Sequence, residues 1–150
     1  MSLKRSPADD AFSKCVRAAV DYKCQKCGKQ YDKSSTGLHC SHNFSRGHRT
    51  IRWCKENALS LCCSCHQWFG GNPADSGKWF GGNPADSGKW LEDFIGVGTV
   101  DILREKMRSK VVVKKIEEKD IAKHYREQLK LIQARREVGE CGYIDFESYQ

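Results

Sequence analysis

Apolar positions recur at helical spacing from residue 10 to 21, where Phe12, Cys15, Val16 and Ala19 fall on one side of a predicted amphipathic helix. Residues 1–9 are polar and read as frayed. A strand is predicted over 38–44 and a polar, basic loop over 45–52. A helix is predicted over 57–69. A second helix should open at Asn83-Pro84, with Asn83 as cap, Pro84 as first residue and Asp86 as the acid of a capping box, and run through Trp90, Leu91 and Phe94 to Ile95. A third spans 100–107. Residues 111–138 read as one long charged helix whose apolar stripe is thin: Val113, Ile116, Tyr125, Leu129 and Ile132. Its Val111-Val112-Val113 start is equally compatible with a strand. Tyr143, Ile144, Phe146 and Tyr149 give the last ten residues enough apolar content to dock.

One stretch departs from this pattern. Residues 68–78 are followed by an identical copy, 79–89. Two eleven-residue copies cannot stack a solenoid core. One copy is expected to keep the parent position and the other to form an extra loop or turn.

The cysteines change the picture most. There are nine in 150 residues, and an odd number without a signal peptide argues against a disulfide scaffold. Cys24-x-x-Cys27 and Cys62-x-x-Cys65 supply four thiolates, enough to close a tetrahedral zinc site with no open position, which marks it as structural. Gly28 frees the backbone to turn behind the first pair. Cys15, Cys40, Cys54 and Cys141 read as buried small hydrophobes or incidental thiols. Lys and Arg outnumber Asp and Glu by 26 to 19, a formal charge of +7 that suits a polyanionic partner, nucleic acid first and an anionic membrane second. No apolar run approaches the length of a membrane span, so a soluble, cytoplasmic protein is expected.

His42, Asn57 and His66 stand in fixed order around the second cysteine pair. The pattern Asn57-x-x-x-x-Cys62-x-x-Cys65-His66, with His42 fifteen residues ahead, resembles the HNH (ββα-metal) endonucleases with zinc knuckles. The run Cys40-Ser41-His42-Asn43-Phe44-Ser45-Arg46-Gly47-His48-Arg49, with Thr50-Ile51-Arg52-Trp53 after it and Phe12-Ser13-Lys14-Cys15-Val16-Arg17 ahead of the knuckle, is similar to phage NinG/Rap-type recombination nucleases over residues 12–107. The resemblance implies an α+β fold. A small zinc-stapled ββα core would occupy 10–107, with flanking helices and a helical C-terminal extension over 108–150.

It also implies roles. His42 would activate water, Asn57 would hold the loop that orients it, and His66 would bind one catalytic divalent ion, Mg²⁺ or Mn²⁺. Many relatives carry Asp directly before the first His; here that residue is Ser41. Ser41 and His39 are therefore the alternative second ligands. They share one strand face, with His42 on the other. Arg46, His48, Arg49, Arg52 and Lys55 would hold phosphates of double-stranded or branched DNA. The implied products carry 5′-phosphate and 3′-hydroxyl ends. The alternative is a zinc-ribbon DNA-binding module that kept the scaffold without the chemistry. A homodimer through the long helix is a further expectation, as is a bacterial host cell if the chain is phage- or prophage-encoded.

Overall fold

The computed structural model describes residues 4–70, 84–109 and 111–149. The elements, in chain order, are α1 (Pro7–Ala19), β1 (Leu38–His42), a 3-10 turn (Lys55–Asn57), β2 (Ala58–Cys62), α2 (Cys63–Phe69), α3 (Pro84–Ile95), α4 (Val97–Arg108), a second 3-10 turn (Lys115–Glu117) and α5 (Glu118–Glu137). The fold is α+β: a two-stranded antiparallel hairpin, β1–β2, with helices packed around it. Register pairs Leu38 with Cys62, Cys40 with Ser60 and His42 with Ala58. Among the described residues no helix is long and apolar enough to cross a membrane.

Three expectations are corrected. Residues 1–9 are not all frayed, because α1 starts at Pro7. The Ser6 side chain accepts from the Asp9 amide and the Asp9 carboxylate accepts from the Ser6 amide, a reciprocal cap. The helix expected over 57–69 is split. Ala58–Cys62 is a strand, buried along its whole length, and only Cys63–Phe69 is helical. A short apolar run has no period that separates a buried strand from a buried helix, and pairing with β1 decides it. The long helix begins at Glu118 rather than Val111. Val111 to Lys114 are non-helical, and the Glu117 carboxylate accepts from the Lys114 amide where the chain turns.

Other expectations hold. α3 opens at Pro84 with Asp86 in its first turn and ends at Ile95. Asn83 and most of the tandem repeat lie outside the described residues. α4 covers the predicted 100–107 and extends it at both ends.

Among the described residues, three apolar clusters form the core. The largest joins Phe12, Cys15 and Val16 of α1 to Ile121, Tyr125 and Ile132 of α5, closed by Ile144 and Phe146 of the tail. A second gathers Leu59, Leu61, Phe69 and Leu91 beneath α2 and α3. A third sets Phe44 and Ile51 against Val100 and Leu103 of α4. The C-terminal segment thus seals the face of α1 rather than standing apart. The Tyr125 hydroxyl donates to the Trp53 carbonyl and accepts from the Tyr149 amide, tying α5, the basic loop and the tail together.

Candidate metal centre

The first cysteine pair sits in a tight knuckle. Lys23 bridges to Gln30, and the Cys24 amide donates to the Lys29 carbonyl. The Gly28 amide closes the turn on the Cys24 carbonyl. Gly28 has φ +77°, a conformation strained for any residue with a Cβ. The knuckle is hooked to the outer edge of β2. The Gln25 amide donates to the Ser60 carbonyl, the Ser60 amide donates to Gln25 Oε1, and Ser60 Oγ donates to the Lys23 carbonyl. Cys62 ends β2 and caps α2, and Cys65 lies on the first turn of that helix.

This arrangement brings the sulfurs of Cys24, Cys27, Cys62 and Cys65 within 4.8 Å of one another. Cys27 Sγ and Cys62 Sγ are 3.8 Å apart. A tetrahedral zinc with bonds of about 2.3 Å sets its sulfurs about 3.8 Å apart. Burial opposes the Cys24 thiolate, but backbone hydrogen bonds around Cys27, Cys62 and Lys26 outweigh it and bring its pKa down to about 7. Cys65 moves the other way, raised by burial and then by its hydrogen bonds with Cys62 and Cys24. Crowded thiolates of this kind call for a cation. The cluster can hold a structural metal such as zinc. Cys63, inside the second pair, is exposed and outside the cluster.

Next to this cluster, on the α2 face of the hairpin, His39 of β1 meets His66 of α2. Their Nδ1 atoms are 3.0 Å apart. Either one ring donates to the other, or both lone pairs turn to a shared cation. Burial, followed by repulsion from His39, lowers the His66 pKa. Metal bonds of about 2.1 Å meeting at about 90° put two nitrogens about 3 Å apart, so the pair fits adjacent positions on one ion. Among the described residues no carboxylate or cysteine joins it as a third ligand. Ser41 is fully buried, and its Oγ has no hydrogen-bond partner.

His42 goes elsewhere. Three residues from His39, it faces α1, its ring centroid 6.0 Å from that of Phe12. Its Nε2 lies 3.0 Å from the Arg52 carbonyl oxygen. A carbonyl only accepts, so Nε2 carries the proton and Nδ1 the lone pair. Burial pushes the His42 pKa down to about 4, so the ring is neutral at pH 7. His42 thus lies on the α1 face of the hairpin, and His66 meets the other face through His39.

Asn57 is buried at the base of the loop. Its Nδ2 donates to the Phe44 and Ile51 carbonyls, and its Oδ1 accepts from the Phe44 amide. One side chain thus clamps both ends of residues 44–51.

The cations of the basic loop make contacts within the chain. Arg52 is 6% exposed and makes a two-pronged pair with Asp9, at 3.0 and 2.6 Å. Trp53 Nε1 donates to the same carboxylate. Burial works against the Asp9 carboxylate, but Arg52 and Ser6 outweigh it and hold its pKa below the ordinary value. Arg46 stands 3.8 Å from Asp9, Arg49 pairs with Glu118 at 3.2 Å, and Lys55 pairs with Asp145 at 2.7 Å. His48 sits edge-on to Phe44. Arg52, expected on phosphates, is an interior group, and Arg46, Arg49 and Lys55 are satisfied within the chain.

Asp9, Glu118 and Asp145 were not singled out from the sequence. Asp9 carried a signal in the Ser6-Pro7-x-Asp9 cap, but its pairing with Arg52 spans 43 residues and leaves no local trace. No family model, no curated protein and no solved structure matches this chain.

Proposed function

We propose that the protein is an HNH-type endonuclease that hydrolyses DNA phosphodiester bonds with a single divalent ion held by His39 and His66. The observation that carries this reading is the His39–His66 contact at 3.0 Å, made between the first strand and the helix of a ββα unit beside a four-cysteine cluster. A divalent ion there would supply Lewis-acid activation and stabilise the charge that grows on phosphorus. Asn57 fixes the loop, and the loop carbonyl of Arg52 fixes the tautomer of His42. His42 is partly exposed and keeps its Nδ1 lone pair, so it would be the base of this reading. An all-imidazole donor set ranks Ni²⁺ and Zn²⁺ above Mn²⁺ and Mg²⁺. Branched or recombination-intermediate DNA is the substrate class that the family resemblance suggests.

A second reading is a zinc-stapled DNA-binding module without chemistry. The depressed pKa of His42 favours it, as does the lack, among the described residues, of a carboxylate beside the His pair. A cleavage assay on supercoiled plasmid and a synthetic four-way junction, with each of the four ions, separates the two. Ion-dependent cutting that His66→Ala lowers by about 100-fold or more, with the structural zinc retained, is the expected result. DNA binding without cutting by any ion selects the module.

A further inference from the structure

The expected DNA-contacting loop has its charges engaged, and a different surface has not. The knuckle stretch 22–31 carries Lys23, Lys26 and Lys29, all exposed, and no acidic residue. Among the described residues none of these three lysines forms an ion pair. Two of them rest on aromatic rings instead. Lys26 Nζ is 4.2 Å from the centre of the Trp68 ring, and Lys29 Nζ is 5.3 Å from that of Tyr31.

From Trp68 the aromatic surface continues. Trp90 meets Trp68 edge-on at 6.1 Å and stacks on Phe94 at 5.1 Å with 16° between the planes. Trp68 and Trp90 are half-buried, and Phe94 is 46% exposed. Beyond Phe94 lies an open cavity of about 240 Å³ whose lining includes Val16, Gln25, Thr99 and Tyr143. Partly exposed rings, with lysines that form no ion pair at one end, match the way single strands are held. Bases stack on the rings, and phosphates lie along the lysines.

We propose that the knuckle lysines and the Trp68–Trp90–Phe94 face form a binding surface for unpaired DNA, with exposed bases stacked at Phe94. The claim rests on the DNA reading above and specifies which part of a substrate is grasped: the unpaired strand of a branched or splayed molecule. Duplex DNA presents its bases only edge-on in the grooves and gains nothing from these rings.

The test is fluorescence anisotropy with an oligo-dT single strand and a duplex of equal length. It compares wild type with a Lys26→Glu/Lys29→Glu double variant and with Phe94→Ala, all checked for full zinc content. Binding of the single strand about tenfold tighter than duplex is expected, with about tenfold loss in the double variant and loss of the single-strand preference in Phe94→Ala. Photocrosslinking to bromodeoxyuridine-substituted oligo-dT should label Trp68, Trp90 or Phe94. Equal binding of the two DNAs, wild-type affinity in both variants, or crosslinks confined to residues 45–55 would overturn the proposal. The His66→Ala cleavage assay reads out separately. Cutting with no single-strand preference removes this surface and leaves the nuclease, whereas the preference without cutting does the reverse.

Discussion

On the α1 face of the β1–β2 hairpin, partly buried His42 packs against Phe12 and donates to the Arg52 carbonyl, beside a core that α5 and the tail close. On the α2 face, His39 meets His66 beside four converging thiols. The two faces belong to the same ten residues of strand. One is finished by long-range ion pairs and aromatic packing. The other sets two imidazole nitrogens 3.0 Å apart, a spacing that adjacent positions on one cation would also give. The contrast teaches that a motif read as one constellation can be divided by the sheet that carries it. Distance along the chain then says less than parity of position.

The largest effect should come from the metal side. Strong chelation, or Cys62→Ser, is expected to abolish the cooperative unfolding transition of the knuckle and hairpin, since structural zinc sites of this kind contribute about 10 kcal/mol or more. Circular dichroism with and without chelator checks it. An unchanged transition would mean the thiols pack without an ion.

The next effect lies on the sealed side. Asp9→Ala leaves the buried Arg52 guanidinium without its carboxylate, with only the Lys4 carbonyl to accept from it, and should cost about 3–5 kcal/mol in urea unfolding. The Asp9 carboxyl has a folded pKa below its unfolded value. Its stabilisation is therefore complete above the unfolded value and is lost as pH falls through the folded one. The variant should lack that acid-side loss, and an effect under about 1 kcal/mol would reduce the pair to the worth of an exposed one.

A smaller effect distinguishes the two histidine environments. His42 has an ordinary pKa of 6.5 and a folded value of about 4. Between those pH values the unfolded chain takes up a proton that the folded chain refuses, so stability falls as pH falls, by roughly 3 kcal/mol in all. His42→Gln should flatten that slope in urea unfolding measured from pH 7 to pH 4. A slope that stays with His42→Gln would assign it to other groups.

Chemistry was more legible in the chain than its assembly. Cys24, Cys27, Cys62 and Cys65 announce their cluster because ligand spacing is local within each pair. Pro84 announces the start of α3 because its fixed φ acts on the spot. The strand at Ala58–Cys62 was hidden, since an apolar run of five has no diagnostic period. The fate of Arg52 was hidden for a different reason. A basic loop looks the same in sequence whether its charges meet phosphate or a carboxylate 43 residues away. The aromatic face was visible only as scattered residues until α2 and α3 set Trp68, Trp90 and Phe94 side by side.

The bonds that hook Gln25 and Ser60 together also occupy the outer edge of β2. A two-stranded sheet has two such edges, and this one belongs to the apolar run Ala58-Leu59-Ser60-Leu61-Cys62. An open edge on so apolar a strand is a template for pairing with another chain. The knuckle is thus a guard against self-association as well as a staple, and metal-depleted protein should be lost to aggregates before it is lost to simple unfolding.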